Sequence, residues 1–380
     1  MKKLLRRILA FPFIVIKKFG KLFHKKPLIL IYSHNHTMDE HVMLYYNICK
    51  NENYKFKFVF WKDKKTIDKE RYKNHNINKN LVIKNKLSYF FSNPDLFVVA
   101  DLHIKRPTIF VAKSLYLNHG ASTICWNNNQ NTCYSYSDGH AIYDVYFETS
   151  KYAFEKFKNL KNYENHIVFA GNKYSDDFEQ LIKNKDTYRK QFNITPEQKV
   201  IFLVGSWRQE SLFHQLGKEV FDELKDLAKN KKYKFMVSIH PNEYRNYSKV
   251  TEPFGKYVDE LADFDIIVRK PGTDMMPYLI ASDLIVSDFT AMTDNAIMAE
   301  KDIVYSDFDD SNMFAYSSAY RLKKILPVIS KASELKDIIK KAYPKELRNE
   351  ILKIKAEMKT PTGFYSELCK NTTKQLLNKK

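Results

Sequence analysis

The sequence is poor in cysteine and glycine and lacks the common glycine-based phosphate motifs. Its four cysteines form no CxxC pair, and no His/Cys cluster has zinc-site spacing. Neither GxxxxGK[ST] nor GxGxxG occurs among its 9 glycines, which excludes a P-loop and a dinucleotide fingerprint. The cysteines are typical of reduced thiols in a cytosolic protein, and the sequence indicates no metal site and no cofactor.

Acidic side chains are absent from the first 26 residues, which carry nine Lys and Arg around an apolar run at 8–16. The run is too short to cross a bilayer, which needs about 20 residues, and no small-residue cleavage site follows it. A basic segment with interleaved Phe and Leu favours a helix lying on an anionic membrane surface. The alternative is an ordinary N-terminal helix packed on the body of the protein.

Over the whole chain of 380 residues, 63 Lys and Arg outnumber 44 Asp and Glu, a formal net charge of +19. This excess favours anionic partners such as nucleic acid, anionic lipid or phosphorylated substrates. With 44% hydrophobic residues, the chain has enough apolar material for two α/β domains of ordinary size.

Short apolar runs alternate with helical patterns, which predicts βαβ units and parallel sheets. Strands are expected at 28–32, 56–61, 96–100, 114–120, 141–149 and 166–171, and again at 200–207, 235–241, 265–269, 284–288 and 303–307. A polar stretch over 173–197 separates the two series. The prediction is two Rossmann-like domains, 27–190 and 191–345, preceded by the basic segment 1–26 and followed by a helical tail, 346–380.

Polar side chains cluster where the expected strands end, and ligands of open α/β sheets bind beyond the carboxyl ends of the strands. The clusters are His119-Gly120, Ser206-Trp207-Arg208, His240-Pro241 and Ser287-Asp288-Phe289-Thr290. Two domains facing each other would direct all four at one cleft.

Three of these residues have a functional and a structural interpretation. His119, exposed by a sharp turn at Gly120, is either a general base or a polar cap on a strand end. Arg208 either binds phosphate oxygens or pairs with Glu210 at the surface. His240, held by Pro241, either donates to phosphate or is a structural histidine.

The stretch "SDFTAMTD" (287–294) combines hydroxyls with the expected start of a helix over 291–299. Ser287, Thr290 and the helix N–H groups form a candidate anion site; a tight turn before a capped helix is the alternative. Asp288 would repel a diphosphate, so we expect it to bond backbone amides or the neighbouring histidine and hold the loop.

In this order, the motifs resemble the CDP-glycerol glycerophosphotransferase family, enzymes of teichoic acid and capsule polymer synthesis. The family pattern is roughly P-T-x-R after one strand, H-P after the next, and then "aDvlItDYSSvxxDxxxxxkPiixyxxD". This sequence has "GSWR" (205–208), "HP" (240–241) and "ASDLIVSDFTAMTDNAIMAEKDIVYSDFDD" (281–310). The resemblance covers about 100–368 and is specific over 200–310.

Two positions depart from the family pattern. Asn118 stands where the family's W-H-G has Trp, and Leu368 in "GFYSEL" (363–368) stands where a basic residue is usual.

The resemblance implies a GT-B-like fold, in which two Rossmann-type domains face a central cleft. It implies transfer of glycerol phosphate, or a related alditol phosphate, from CDP-glycerol to a hydroxyl of a lipid-linked saccharide or growing polymer, with release of CMP. In that interpretation His119 is the base and His240 acts on the transferring phosphoryl group. The donor-site candidates are Gly205, Ser206, Arg208, Pro241, Ser287, Asp288, Thr290 and Asp294.

The resemblance also implies peripheral association with the cytoplasmic face of the cell membrane, through 1–26. Two alternatives stay open: a nucleotide-sugar glycosyltransferase on the same fold, and a basic nucleic-acid-binding protein without enzymatic activity. The second lacks a recognised nucleic-acid motif.

Overall fold

Two parallel sheets with helices on their faces make up the protein. The computed structural model describes residues 12, 15, 19–20, 26–34, 36–61, 67–101, 112–118, 141–158, 165–207, 209–244, 254–271, 273–311, 313 and 317–378. Most of the segment 1–26, together with His119, Gly120 and Arg208, lies outside these residues. None of the helices in the described part combines the length and apolar character needed to cross a bilayer.

The first sheet is all parallel, with the strand order β2-β1-β3-β4-β5-β6. Its strands are β1 (Leu28–Ser33), β2 (Lys55–Phe60), β3 (Leu96–Val99), β4 (Lys113–Tyr116), β5 (Val145–Glu148) and β6 (Ile167–Phe169). Its helices are α1 (His36–Cys49), α2 (Lys86–Phe90) and α3 (Lys151–Phe157), with short 3-10 turns at Arg71–His75 and Lys79–Leu81. Strand β3 is a completely buried run of Leu, Phe and Val, and β1 is nearly so, as expected of a parallel sheet covered on both faces.

The second sheet is also all parallel, with the order β12-β11-β10-β7-β8-β9. Its strands are β7 (Lys199–Val204), β8 (Tyr233–Ser238), β9 (Ile267–Val268), β10 (Leu284–Ser287), β11 (Asp302–Ser306) and β12 (Val328–Ile329). Its helices are α4 (Phe178–Lys183), α5 (Lys185–Gln191), α6 (Leu212–Leu216), α7 (Glu219–Ala228), α8 (Gly255–Glu260), α9 (Met276–Ala281), α10 (Met292–Met298), α11 (Ser318–Lys323) and α12 (Leu335–Lys340). Further 3-10 turns are Pro241–Tyr244, Leu261–Phe264 and Ala332–Glu334.

The helices α4 and α5 pack against the second sheet although they precede the expected boundary at residue 190. Phe178 and Ile194 are buried in the same apolar cluster as residues of β7 and α9. Arg189 of α5 donates to Asp283 at 2.5 Å and to the carbonyl of Ala281 at 3.2 Å. These contacts place α4 and α5 against the core of the second sheet.

The end of the chain returns to the first domain. Helix α13 (Lys345–Met358) packs on α10 of the second domain and on α3 of the first. Helix α14 (Phe364–Asn378) packs on α1, β3 and β4, where the hydroxyls of Tyr45 and Thr373 lie 2.7 Å apart. Asp176 accepts the amides of Gly363 (2.9 Å) and Ser366 (3.2 Å). The "GFYSEL" stretch thus fastens the start of α14 to the connection between the domains.

Candidate functional site

The point where the second sheet reverses its winding defines a crevice. From β7 the chain adds β8 and β9 on one side and then β10, β11 and β12 on the other. Ligands of doubly wound folds bind at the carboxyl ends of the two strands that flank such a switch point. Here those strands are β7, followed by 205–207, and β10, followed by 288–290, so the structure brings two of the four predicted clusters together.

Asp288 joins these two loops. Its Oδ2 accepts the amides of Ser206 (2.8 Å) and Leu212 (2.7 Å), and its Oδ1 accepts the amide of Thr290 (2.8 Å). The side chain is completely buried, and burial raises its pKa to about 6, against the lowering effect of the three amides. Asp288 therefore fixes both loops by their backbones at neutral pH.

Ser287 has a different place from the one its sequence context predicts. It is fully buried and donates its hydroxyl to the carbonyl of Val204 at 3.0 Å. The reason is its register in the sheet, because Ser287 lies directly beside Val204 in the ladder between β10 and β7. The hydroxyl is committed to the framework, and the expected diphosphate contact at Ser287 is corrected accordingly.

The turn into α10 offers fewer free groups to a ligand than the sequence predicts. The amides of Thr293 and Asp294 are bonded to the carbonyls of Thr290 (3.1 Å) and Ala291 (3.3 Å). Asp294 is buried and raises the pKa of the Tyr305 phenol by its charge, in addition to the larger effect of burial. Thr290 is only partly buried, so of the two predicted hydroxyl residues, Ser287 and Thr290, only Thr290 is accessible to solvent.

Gly205 is required by close packing. A Cβ at this position would lie 2.8 Å from the Phe213 ring and 3.3 Å from Leu212 Cβ. Both of those side chains are buried and cannot move aside cheaply. Gly205 therefore lets α6 pack directly against the turn that carries Ser206, which is partly exposed.

His240 lies just beyond the end of β8, in a defined orientation. Its Nδ1 accepts the amide of Asn242 at 3.1 Å, so the neutral imidazole carries its proton on Nε2. Pro241 begins the 3-10 turn that positions Asn242. The ring centroid of Trp207, from the β7 loop, lies 5.9 Å from that of His240. The structure thus brings the β8 cluster next to the β7 cluster.

Arg269, at the end of β9, is a site residue that the sequence analysis missed. Its guanidinium donates to Ser238 Oγ at 3.4 Å and to the carbonyl of Thr273. Burial lowers its pKa, and its Nε is buried with no hydrogen-bond acceptor among the described residues. A partly buried cation with an unsatisfied Nε–H donor, beside the strand end that carries His240, is suited to an anionic ligand.

In the first domain, a buried charge network holds the end of β1. Asp39 accepts the hydroxyl of Ser33 (2.5 Å) and pairs with Arg71 Nε and His75 Nε2, each at 3.0 Å. Arg71 also donates to the carbonyls of Trp61 (2.6 Å) and Ser33 (2.9 Å). These contacts fix the carboxyl ends of β1 and β2 together at the edge where a ligand of this sheet would bind.

Strand β4 leads towards the predicted base. It ends at Tyr116, and Asn118 is the last described residue before His119. Asn118 has φ +56°, a left-handed conformation that Asn tolerates better than most residues. This explains how asparagine suits the position where the family pattern has Trp. The role of His119 itself stays a prediction, as does that of Arg208.

Charged side chains from both domains meet near the connection between them. Lys173 Nζ lies 3.0 Å from Glu40 Oε1 and 3.3 Å from His41 Nε2 of α1. Burial lowers the pKa of Lys173, and the charges of Glu40 and of Asp274 in the second domain oppose that change. Burial also raises the pKa of Asp274. The connection at 172–174 is thus tied electrostatically to both domains.

Solved structures of similar fold include a variant of the wall teichoic acid polymerase TagF, which superposes with a TM-score of 0.64 and 13% identity over 98% of this chain and 95% of that one. The S. aureus MnaA–UDP co-structure gives 0.60 and 13%, over 93% and 97%. The UDP-GlcNAc 2-epimerase of Neisseria meningitidis, bound to UDP-GlcNAc, gives 0.56 and 12%, over 92% and 100%. The fold is GT-B-like.

Sequence comparison adds one relative. The UDP-N-acetylglucosamine–N-acetylmuramyl-(pentapeptide) pyrophosphoryl-undecaprenol N-acetylglucosamine transferase of Finegoldia magna is 24% identical over 242 residues. The match covers 61% of this chain and 60% of that protein, less than two thirds of its length. No protein-family model matches the chain. The GT-B-like fold expected from the resemblance is therefore confirmed, while the activity needs a proposal of its own.

Proposed function

We propose that the protein is a transferase that moves glycerol phosphate, or a related alditol phosphate, from CDP-glycerol to a hydroxyl of a lipid-linked saccharide or growing polymer. The observation that carries the proposal is the joining of the β7 and β10 loops by Asp288, with His240 beside them. These are the parts of the chain that match the family motifs. The GT-B-like fold shared with TagF supports it.

The proposed reaction is a displacement at phosphorus. The acceptor hydroxyl attacks the β-phosphorus of the donor, its proton passes to His119, and the bond to the bridging oxygen breaks so that CMP leaves with the electron pair. An alcohol is a weak nucleophile near neutral pH, so a base must take the proton as the new bond forms. In this scheme His119 is the base.

Cationic and hydrogen-bonding groups of the second domain would stabilise the developing charge. His240 donates from Nε2 to the transferring phosphoryl group, and Arg208 neutralises charge on the leaving CMP. Arg269 adds a buried guanidinium for the nucleotide part of the donor. Ser206 and Thr290 lie in the loops that border the diphosphate, and Gly205, Asp288, Asp294 and Pro241 hold those loops in shape.

Incubation of the protein with CDP-glycerol and bacterial membranes tests the activity. Release of CMP that depends on the membranes, with transfer of the alditol phosphate to the lipid fraction, is the expected result. CDP-ribitol should be compared in the same assay. No turnover of any CDP-alditol would reject the proposal, and RNA binding at physiological salt in that case would favour the non-enzymatic alternative.

A nucleotide-sugar glycosyltransferase is the second candidate, and the similarity to the Finegoldia magna transferase favours it. The same residues would then catalyse attack of the acceptor hydroxyl at a sugar carbon, with a nucleoside diphosphate or CMP as the leaving group. A panel of UDP- and CMP-sugars, tested beside CDP-glycerol, separates the two candidates, since a glycosyltransferase would consume only the sugar donors. Release of CMP from CDP-glycerol, with no sugar donor consumed, would exclude the glycosyltransferase.

Donor affinity should depend on the cations at the strand ends. The variants Arg208→Ala, His240→Ala and Arg269→Gln are each expected to weaken CDP-glycerol binding by about 10- to 100-fold, because a charge-assisted hydrogen bond contributes roughly 1.5–3 kcal/mol. Titration calorimetry measures the effect. Arg348→Gln is the matched control, because this Arg pairs at the surface with Asp302 at 2.7 Å, at the amino end of β11 and away from the carboxyl ends of the strands. Unchanged affinity in all three variants would place the diphosphate elsewhere.

The basic segment 1–26 is proposed to anchor the protein to the cytoplasmic leaflet. Each basic residue near an anionic surface contributes about 1 kcal/mol, and inserted Phe and Leu add an apolar contribution that salt does not screen. Deletion of 1–26 is expected to leave donor binding intact and to reduce transfer to membrane acceptors severely. The measurement is transfer to membranes compared with transfer to a detergent-solubilised acceptor. Equal loss with both acceptors would assign the segment to packing instead.

A further inference from the structure

A short stretch of the first domain exposes large apolar side chains beside lysines. Leu87 is 69% exposed and Phe91 57%, and Phe90 between them is also exposed. Lys84 and Lys86 are exposed on the same stretch. We call these five residues the α2 face. Elsewhere in the described chain, exposed residues of this kind are scattered singly, as at Phe264 and Leu352, so the α2 face is a concentration of them.

A pocket of about 380 Å³ with mixed polar and apolar lining adjoins the α2 face near the amino end of β1. Its lining includes Leu28, Lys57, Lys84, Asn85, Ser88 and Ser92. Two ammonium groups, the Asn85 amide and the Ser88 hydroxyl offer donors of the kind that a phosphate ester requires, whereas the Ser92 hydroxyl donates to the carbonyl of Tyr89 at 2.8 Å. The volume falls in the range of about 300–1,000 Å³ of ligand sites. Because β1 starts here, the pocket lies at the opposite edge of the sheet from the cleft.

The basic N-terminal segment reaches the same region. A Cβ placed on Gly20 would lie 4.0 Å from the amide nitrogen of Asn93, two residues beyond the α2 face. Phe19, the preceding residue, is 63% exposed. Gly20 of the basic segment therefore lies beside the chain just after the α2 face.

We propose that the α2 face and its pocket dock on an anionic bilayer, with Leu87 and Phe91 entering the interface and a lipid phosphate bound between Lys57 and Lys84. Apolar side chains inside a basic rim match a surface of anionic headgroups over an apolar interior. The folded first domain, and not the N-terminal segment alone, then fixes the orientation of the protein on the membrane. This docking needs no assumption about the reaction that the cleft catalyses.

Sedimentation of the full-length protein with phosphatidylglycerol vesicles tests the proposal. The double variant Leu87→Ser/Phe91→Ser is expected to lower the partition coefficient about tenfold, since it removes two partly inserted side chains. The variant Lys57→Gln/Lys84→Gln is expected to lower the partition coefficient to a similar degree at low salt. It should also reduce the preference for phosphatidylglycerol over phosphatidylcholine vesicles. Both retain 1–26, and all four positions are at least partly exposed, so the fold should persist; circular dichroism checks this.

The matched control is Phe264→Ser/Leu352→Ser, which removes two exposed apolar side chains from the second domain and should bind like wild type. The proposal is overturned if the Leu87→Ser/Phe91→Ser variant binds as well as this control, because 1–26 would then suffice. It is overturned equally if the Lys57→Gln/Lys84→Gln variant binds vesicles like wild type but no longer binds glycerol phosphate, which would make the pocket a site for free anions. Absence of wild-type binding to phosphatidylglycerol vesicles would also reject the proposal and would favour a protein partner for the α2 face.

Discussion

Replacement of Asp288 by alanine is expected to lower the melting temperature of the protein by about 10 °C and to abolish donor binding. Three backbone amides, those of Ser206, Leu212 and Thr290, lose their acceptor in this variant. A buried donor without a partner costs about 1–3 kcal/mol, and each kcal/mol corresponds to roughly 2–4 °C for a domain of 150–250 residues. The loops that border the cleft would lose the carboxylate that joins their backbones.

Asp307→Ala provides the comparison for this experiment. Asp307 follows the neighbouring strand β11, is about half exposed and contacts Ser330 at 3.2 Å and Lys323 at 3.1 Å, so its loss should cost less than about 1 kcal/mol. Calorimetry gives the melting temperatures, and titration with CDP-glycerol at low temperature reports binding by the folded protein. An Asp288→Ala variant that melts within about 2 °C of wild type would show that the carboxylate does not organise the site.

Replacement of His119 by alanine is expected to reduce transfer by about 10²- to 10⁴-fold, the contribution typical of a positioned general base. Donor affinity should not change, because the proposed base contacts the acceptor hydroxyl and not the CDP group. Turnover is followed by CMP release with membrane acceptor, and binding by calorimetry. Added imidazole should restore part of the activity, since it can take the proton in place of the missing side chain.

His166→Ala is the control for His119. His166 precedes β6, and its Nδ1 lies 3.0 Å from the carbonyl of Asp144, at the edge of the first sheet away from the cleft. This variant should keep wild-type turnover. A His119→Ala variant with near-normal turnover would remove His119 from the mechanism, and a variant that also lost donor binding would indicate a structural role for it.

The strand framework could be predicted because parallel strands buried on both faces are recognisable as continuous apolar runs. Strands expected at 28–32 and 303–307 are observed at Leu28–Ser33 and Asp302–Ser306. The sequence pattern over 212–229 predicts one long helix, but the structure has two, α6 and α7, separated at Gly217, where φ is +71°. The two-residue strand β12 was not predicted, since a run that short carries no periodic signal.

The candidate site was predictable in place but not in the roles of all its residues. Sequence order alone identified the loops after β7, β8 and β10, and the expectation that Asp288 bonds backbone amides agrees with its contacts. Ser287 and Thr290 have similar sequence contexts, yet one hydroxyl is buried in the sheet and the other lies at the edge of the cleft. That difference depends on the register between β10 and β7, which no local pattern reveals.

The features that could not be predicted depend on residues that are distant from one another in sequence. Arg71 and Asp39 form their ion pair across 32 positions, and the 3-10 turn that carries Arg71 has no distinctive pattern. Arg269 follows a strand of only two residues, and a single arginine there gives no sign of burial. The free-energy cost of burying a cation depends on the partners that surround it. A buried cation can therefore be recognised only when its neighbours in space are known.

The return of α14 to the first domain sets an order for folding during synthesis. Tyr365, Cys369 and Leu376 are buried in the same apolar cluster as residues of β1 and α1, whereas the second domain draws its core from the continuous stretch 178–358. A ribosome therefore completes the second domain while the first, although translated earlier, still exposes the surface that α14 will cover. During that interval the half-finished first domain is the part of the nascent chain that needs protection by chaperones.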